Sequence, residues 1–302
     1  MRTLRRLDKA YKNAKIELFD NQSRYVFISD CHRGGGSHYD EFTKNQNVFI
    51  YALNYYYENE YIYVEVGDGD ELWEQPRFTY IKNAHYDVFE VLKKFFYHDR
   101  MRIIYGNHNI YLKDKSYVKD NYYRYYNQYR EQTYDFLKGI EPMESLILKH
   151  KETGQEIFLV HGHQGDFAND QLWFLTMLSV KYFWRYMHSL GVKSPASPVK
   201  NTFKRHKIEK NYNKWIDKNQ KVLICGHTHR FKFPRTGELP YFNTGCCVYP
   251  TTITAIELDK GYISIVSWKM RVNREGFLQA TRSVIRGPEP IEMFDLSENR
   301  EH

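Results

Sequence analysis

Residues 222–229 read VLICGHTH, and the order of residue types in this short stretch decides how the chain folds. Its apolar run has the length of a buried β-strand, and Gly226 then permits a sharp exit from that strand. His227 and His229 follow at once, so a sheet built in this way carries imidazole groups at its edge. Two histidines this close to a strand end are more often metal ligands than packing residues. The stretch therefore predicts a strand that ends in a metal site.

Four earlier segments of the chain place polar residues after apolar ones in a similar way. They are residues 25–32 (YVFISDCH), 61–68 (YIYVEVGD), 102–108 (RIIYGNH) and 156–163 (EIFLVHGH). The polar residues at their ends are Asp30, His32, Asp68, Asn107, His108, His161 and His163. Carboxylate, amide and imidazole groups are ligands of divalent transition metals. Together with the two histidines of residues 222–229, they suffice for two ions that share one carboxylate.

Each segment taken alone also has an ordinary structural explanation. Asp30 and His32 are two residues apart, so in continuing strand geometry both side chains point to the same side and can reach one ion. In the second segment Asp68 competes with Asp70 and Glu71 for the shared position, and we prefer Asp68 because it is nearest the strand end. An aspartate in a turn, or a histidine on the surface, would explain any one of these residues.

The elements between these segments indicate a layered α/β fold. Apolar residues recur at helical spacing over residues 42–57 and 86–97, so strand, polar loop and helix alternate along the chain. A tyrosine-rich helix is predicted over residues 120–137. Residues 252–258 and 262–267 are predicted to form a β-hairpin.

The strand rhythm stops between residues 169 and 219. Two helices are predicted there, over residues 171–190 and 200–218, and they are separated by Gly191 and by the SPASP sequence of residues 194–198. We interpret residues 1–302 as a single domain that carries a helical insertion at residues 167–220.

Composition constrains the class of protein more than its substrate. The chain has 302 residues, of which 42% are hydrophobic, and its net charge is +7. This mild positive charge favours phosphates, nucleic acids or anionic membrane surfaces, or else reflects ordinary solvated lysine and arginine side chains. No stripe of alternating basic and aromatic residues is apparent, so we do not expect nucleic acid as a partner. The sequence leaves the oligomeric state open.

The cysteines and the N-terminal residues bear on the cellular compartment. The four cysteines show no spacing of a disulfide framework or a zinc knuckle, which is typical of a reduced, cytoplasmic protein. Cys31 and Cys225 are predicted to pack on the face opposite the ligands. Residues 1–24 are basic and lack the apolar core of a signal peptide. We interpret their first part as a helix that is solvated or packed rather than a binding device.

The five segments taken together, in this order, resemble the calcineurin-like metallophosphoesterase superfamily. The pattern of that superfamily is D-x-H, G-D, G-N-H-[DE], H and G-H-x-H, and the resemblance covers about residues 25–267. It implies a four-layer α/β/β/α sandwich with a two-metal site at one sheet edge.

The resemblance also assigns roles to individual residues. One ion would be held by Asp30, His32, Asp68 and His229. The other would be held by Asp68, Asn107, His161 and His227. His108, beside Asn107, would be the catalytic histidine. Two divalent ions are therefore expected, most readily Mn, with Fe or Zn as alternatives.

This chain departs from the superfamily pattern at Asn109, where an Asp or Glu normally follows the G-N-H motif. That acid orients the histidine and stabilises its protonated form. With Asn109 in its place, we expect His108 to have a lower pKa than a carboxylate neighbour would give it, and so to carry its proton over a narrower pH range.

The insertion at residues 167–220 resembles the cap of the UDP-2,3-diacylglucosamine pyrophosphatase group, as does the GDGDELW sequence of residues 67–73. That enzyme has Arg where this chain has His108. The resemblance implies hydrolysis of a phosphoester or phosphoanhydride in a nucleotide-sugar or lipid-linked substrate, with room for peripheral membrane contact through the cap. The alternatives are a general phosphodiesterase or phosphatase acting on nucleotides or phosphoproteins, and a scaffold that binds partners without turnover.

Overall fold

The computed structural model describes residues 2–127, 130–170, 177–178 and 202–296. In chain order its strands are β1 Lys15–Phe19, β2 Arg24–Ile28, β3 Ile62–Val66, β4 Met101–Ile104, β5 Arg124–Asn127, β6 Gln132–Asp135, β7 Ser145–His150, β8 Glu156–Val160, β9 Val222–Cys225, β10 Tyr241–Asn243, β11 Thr252–Asp259, β12 Tyr262–Val272 and β13 Leu278–Pro290. The α-helices are α1 Arg2–Lys12, α2 Gln46–Glu58, α3 Phe78–Ala84, α4 Tyr86–Tyr97, α5 Lys115–Tyr122, α6 Phe167–Asp170 and α7 Thr202–Asn219.

These strands form two large sheets. The six-stranded sheet has the order β13-β12-β11-β2-β3-β4, in which β2, β3 and β4 run parallel and the β11–β12–β13 side is antiparallel. The five-stranded sheet has the order β1-β7-β8-β9-β10, with only the β7–β8 pair antiparallel. The predicted hairpin of β11 and β12 is confirmed.

The two sheets pack face to face, and helices cover both outer faces. Side chains from β2, β3, β8 and β9, such as Phe27, Val64, Leu159 and Ile224, form one buried cluster between the sheets. Helices α2 and α4 cover the six-stranded sheet through a second cluster. Helices α1 and α7 cover the five-stranded sheet through a third. The predicted four-layer α/β/β/α sandwich is therefore confirmed.

The predicted helix over residues 120–137 is wrong in most of its length. Helix α5 ends at Tyr122, and β5 and β6 then form a small antiparallel hairpin. The rings of Tyr125 and Tyr134 face each other across this hairpin, with their centroids 5.6 Å apart. Tyrosine favours strands where its ring packs against a cross-strand neighbour, so a tyrosine-rich segment is a poor indicator of helix.

The insertion is described at its two ends and at residues 177–178. The predicted helix over residues 171–190 lies outside the described residues except for positions 177–178. The second predicted helix corresponds to α7, whose Tyr212, Trp215 and Ile216 are buried against the five-stranded sheet. This part of the insertion therefore belongs to the outer layer of the sandwich. No helix in the described ranges has both the length and the apolar character needed to cross a membrane.

Candidate metal centre

The predicted donor residues follow strands of both sheets, and backbone hydrogen bonds join their loops. The amide of Asp30 donates to the carbonyl of Gly67 at 3.0 Å, and the amide of His32 donates to the carbonyl of Asp68 at 2.9 Å. In the other sheet the amide of Gly226 donates to the carbonyl of His161 at 2.9 Å. The loops after β2 and β3, and those after β8 and β9, are thus held in fixed register at one edge of the sandwich.

The first group of donors consists of Asp30, His32 and His229. Asp30 Oδ1 lies 3.1 Å from His229 Nε2 and 3.8 Å from His32 Nε2. The two Nε2 atoms lie 3.2 Å apart. All three residues offer a ligand atom within a sphere suited to one ion. Asp30 is fully buried, whereas both histidine side chains keep 13% of their surface exposed, so this group is open to solvent on the histidine side.

A second group consists of Asp68, His161 and His227, all of them buried. Asp68 Oδ2 lies 3.0 Å from His161 Nε2 and 3.9 Å from His32 Nε2, which belongs to the first group. The other carboxylate oxygen, Oδ1, accepts a hydrogen bond of 2.8 Å from the amide of His108. Asp68 therefore lies between the two groups, in the position predicted for a shared carboxylate.

Unsatisfied polar atoms in this region fit divalent ions. Asn107 is buried, and its Oδ1 has no hydrogen-bond partner among the described residues. Asp30 Oδ1 and His161 Nε2 make no hydrogen bond of regular geometry, but they lie 3.1 Å from His229 Nε2 and 3.0 Å from Asp68 Oδ2. Leaving a buried polar atom without a partner costs about 1–3 kcal/mol. The orphaned Oδ1 of Asn107 therefore fits a divalent ion, which would supply the missing partner.

Five of the predicted ligands have a left-handed backbone. The φ angles are 52° for Asp30, 48° for His32, 50° for Asp68, 67° for His227 and 54° for His229. This conformation is uncommon for residues other than glycine and is found at sites where function requires strain. The sequence argument that Asp30 and His32 continue a strand is therefore wrong in its geometry, although both side chains do reach the same group of donors.

Two motif glycines make room for the carboxylates. A Cβ atom on Gly106 would lie 2.1 Å from Asp68 Oδ1, and a Cβ atom on Gly226 would lie 2.4 Å from Asp30 Oδ2. Both distances are far below van der Waals contact. The glycines of the G-N-H and G-H-x-H motifs are thus required by the close approach of another chain segment that carries a ligand.

The charges of the site favour a cation. Burial by itself would lower the pKa of His229, but the carboxylate of Asp30 outweighs it and raises that pKa to about 10. For Asp68, burial acts to raise the pKa, yet the neighbouring His161 and His108 hold it well below its usual range. Burial also acts to raise the pKa of Asp30, but the neighbouring His229 holds it well below its usual range. Both carboxylates are therefore ionised, and their negative charge attracts a cation.

The environment of His108 differs from the sequence prediction. Its Nδ1 lies 2.8 Å from the carboxylate of Glu71, and its ring stacks on buried Trp73 with the centroids 4.2 Å apart. Asn109 instead uses its Oδ1 to accept a 2.6 Å hydrogen bond from the amide of Gly106. The expectation that Asn109 sets the acid strength of His108 is therefore wrong, because the carboxylate that contacts this histidine comes from a different loop.

Sequence reasoning treated Glu71 only as a rival of Asp68 for the metal. In the structure Glu71 contacts two histidines, since its Oε2 also lies 2.7 Å from His32 Nδ1. Burial opposes its ionisation, but His108 and His32 outweigh burial and lower the pKa of Glu71 to about 2. The other rival, Asp70, is bound to buried Arg33 at 2.8 Å. The sequence shows a carboxylate three residues after the G-D motif, but it does not show that this carboxylate contacts His32 and His108.

Two further residues lie at the edge of the second group. Asp166 Oδ2 lies 3.4 Å from His227 Nε2 and 3.1 Å from the ammonium of Lys204 on α7. The sequence analysis did not single out Asp166. His163, which was predicted as a candidate phosphate contact, is buried, and its ring centroid lies 5.6 Å from that of His161.

Comparison of the sequence with known protein families identifies the family of this chain. Residues 23–231 match the family described as calcineurin-like phosphoesterase. No curated protein matches the chain. Among solved structures, Vps29 from Chaetomium thermophilum is 10% identical, with a TM-score of 0.34, over 88% of this chain and 99% of that one. The 5′-nucleotidase precursor from Thermus thermophilus is 12% identical, with a TM-score of 0.30, over 92% of this chain and 56% of that one.

The family match spans more than two thirds of the chain and contains the residues of both donor groups. The chain therefore belongs to the calcineurin-like phosphoesterase family and is a metal-dependent phosphoesterase, a hydrolase.

Proposed function

We propose that this protein hydrolyses a phosphoester or phosphoanhydride bond with two divalent ions bridged by Asp68. The observation that carries the proposal is the position of this carboxylate, whose Oδ2 lies 3.0 Å from one donor group and 3.9 Å from the other. Asp30, His32 and His229 would complete one site. Asn107, His161 and His227 would complete the second.

Bound in these sites, divalent ions would activate a water molecule and neutralise charge on the phosphoryl oxygens. The chain itself supplies the proton transfer. His108 keeps 23% of its side chain exposed, and its Nδ1 is held by Glu71. Its other ring nitrogen is then left to donate a hydrogen bond or a proton to the leaving oxygen. Trp73 fixes the plane of the imidazole ring, so orientation and proton donation are both built into the protein.

The choice of metal follows from the donor set. Carboxylate, amide and imidazole groups without thiolate suit Mn, with Fe and Zn as alternatives. Cys31 and Cys225 lie within the motifs but are buried and belong to none of the donor groups among the described residues. This supports Mn over a thiolate-bound zinc site.

The substrate class is proposed from sequence resemblance. We infer a nucleotide-sugar or lipid-linked phosphate, handled in the cytoplasm, with peripheral membrane contact through residues 167–220 and without nucleic acid as a partner. A general phosphodiesterase or phosphatase acting on nucleotides or phosphoproteins is the second candidate. A binding scaffold without turnover was suggested only by Asn109, and the contact of Glu71 with His108 removes that support.

Hydrolysis of bis-p-nitrophenyl phosphate tests the activity. We expect chelated protein to be inactive, and added Mn to restore turnover. A panel of nucleotide-sugar, nucleotide and lipid phosphates then separates the substrate classes. Asp87→Asn, which removes an exposed acid of α4, serves as a matched control and should behave as the wild type. Turnover that survives chelation, or a folded Mn-loaded protein that hydrolyses no phosphate in the panel, would overturn the proposal.

A further inference from the structure

A cavity of about 430 Å³ lies beside the metal centre, beneath the N-terminal helix α1. Most of its lining is cationic or aromatic. The lining residues are Arg2, Arg5, Arg6, Lys9, Tyr105, Ile110, Lys113, His163 and Asp170. A volume of this size accommodates part of a small-molecule substrate.

The lining residues connect this cavity to the predicted site of reaction. Tyr105 and Ile110 flank residues 106–109, which carry Asn107 and His108. His163 lies two residues beyond His161, and the two rings are 5.6 Å apart. His163 is 1% exposed, and its Nδ1 has no hydrogen-bond partner in the described part of the chain. A buried imidazole nitrogen with no partner in the protein is available to a ligand.

The basic residues of α1 divide into two kinds. Arg6 anchors the helix, because its guanidinium is paired with Glu144 and lies 3.0 Å from Asp170. Arg2, Arg5 and Lys9 recur at helical spacing on one face and have no ion-pair partner among the described residues. The one carboxylate of the lining, Asp170, is thus already paired with Arg6. It supplies no compensating charge to Arg2, Arg5 and Lys9, the other α1 cations of the lining.

The undescribed part of the insertion does not supply that charge either. Residues 171–201 contain neither Asp nor Glu. The residues of α1 also lie outside the segment that matches the family, which begins at residue 23. The part of the cationic lining that α1 contributes therefore lies outside the matched segment, and a contribution of this kind suits substrate selection.

We propose that this cavity binds a second phosphate group of the substrate, separate from the phosphoryl group that reacts at the metals. The inference rests on the proposed function, and it identifies the substrate class as one with two separate phosphates. Arginine pairs with phosphate through parallel hydrogen bonds, and lysine adds a point charge. This proposal gives α1 a binding role, in contrast to the interpretation of the sequence as a solvated or packed helix.

A pair of substrates that differ by one phosphate tests the proposal. The first is the p-nitrophenyl ester of thymidine 5′-phosphate, and the second is the same ester with an added 3′-phosphate. We expect the wild type to prefer the second in kcat/KM by at least about tenfold, as the loss of a charged hydrogen bond would imply. The Arg5→Gln/Lys9→Gln variant should lose this preference. Arg271→Gln, which removes an exposed charge from β12, should keep it.

A binding measurement without metal separates this proposal from the proposed function. Calorimetric titration of the chelated protein with thymidine 3′,5′-bisphosphate should show binding that the Arg5→Gln/Lys9→Gln variant lacks. If neither ester is hydrolysed yet this binding is found, the proposed function fails and the phosphate pocket stands. If the wild type and the variant prefer the 3′-phosphorylated ester equally, or bind thymidine 3′,5′-bisphosphate equally, the proposed phosphate pocket is contradicted.

A lipid surface is the other source of phosphate. Sedimentation with phosphatidic acid vesicles, compared with phosphatidylcholine vesicles, distinguishes it. Binding to the anionic vesicles that depends on Arg5 and Lys9, without any effect of the 3′-phosphate on turnover, would assign α1 to a membrane and contradict the proposal. Circular dichroism of the variant confirms that α1, still anchored by Arg6, remains folded.

Discussion

Glu71→Gln is the substitution that most directly tests how His108 is controlled. One carboxylate contacts two imidazole rings, at 2.7 Å from His32 and 2.8 Å from His108. Glutamine keeps the size of the side chain but has a single acceptor oxygen and no charge. Because Oε2 lies 2.7 Å from His32 Nδ1 and 2.8 Å from His108 Nδ1, one oxygen can still reach both rings, but only through weaker, neutral hydrogen bonds.

The magnitude follows from this loss. A hydrogen bond to a charged group contributes about 1.5–3 kcal/mol, whereas a neutral one contributes about 0.5–1.5 kcal/mol. Loss of one charged bond corresponds to roughly a 10- to 100-fold decrease in activity. This agrees with the typical effect of residues that orient metal ligands, which is also about 10- to 100-fold. We expect the decrease in kcat rather than in KM, because Glu71 acts through His108.

The assay is hydrolysis of bis-p-nitrophenyl phosphate at saturating Mn, with the metal content of each variant measured in parallel. Metal content separates weakened binding through His32 from weakened action of His108. Adding Asn109→Asp to Glu71→Gln should not restore activity, because Asn109 contacts the amide of Gly106 rather than the imidazole. Full activity of Glu71→Gln, or rescue by Asn109→Asp, would refute this account of the site.

Three further predictions concern stability and the geometry of the site. Gly226→Ala should lower metal affinity and thermal stability together, since its Cβ would lie 2.4 Å from Asp30 Oδ2; unchanged metal affinity would contradict this. Burial opposes ionisation of Asp40, but His85, whose Nε2 lies 2.8 Å from Asp40 Oδ2, lowers the pKa of this carboxyl group in the folded protein. The stability that this contact contributes is therefore present above about pH 4, the pKa of an unfolded aspartate, and it is lost as the pH falls through the folded pKa. Asp40→Asn should therefore lower the free energy of unfolding in urea at pH 7 more than at pH 3, and an equal loss at both would disprove the contact. Ile256→Ala, between the sheets, should cost about 2–5 kcal/mol by the same measurement, and a loss below about 1 kcal/mol would contradict tight packing there.

The parts of the fold that the sequence predicted are those with strong local patterns. Strand β9 is a continuous apolar run, β3 is interrupted by one charged residue only, Glu65, and α4 has clear helical periodicity. Strand β1 was missed because it lies at a sheet edge, where Ile16 and Leu18 are 63% and 58% exposed and charged residues alternate with them. Strand β13 was missed because it lies at a sheet edge, where Ala280 is its one buried residue, and because it contains Gly287 and two prolines, which disfavour strands.

The donor residues could be found from sequence because each one follows its strand within a few positions. Their backbone could not, since the left-handed conformation of residues such as Asp68 depends on the neighbouring loops. The contact between Glu71 and His108 could not be predicted either, because the two residues are 37 positions apart in the sequence and meet only in the folded structure. The order of residues along the chain thus indicated the metal ligands, whereas contacts between loops determine their backbone conformation and the partners of His108.

Metal content of the wild type and of Asp68→Asn tests the central claim most directly. Elemental analysis of Mn-loaded protein should give two ions per chain for the wild type, and Asp87→Asn should give the same number. Asp68→Asn should lose most of both ions, because the carboxylate between the two donor groups is removed. One ion per wild-type chain, or full occupancy in Asp68→Asn, would contradict a bridged two-metal centre.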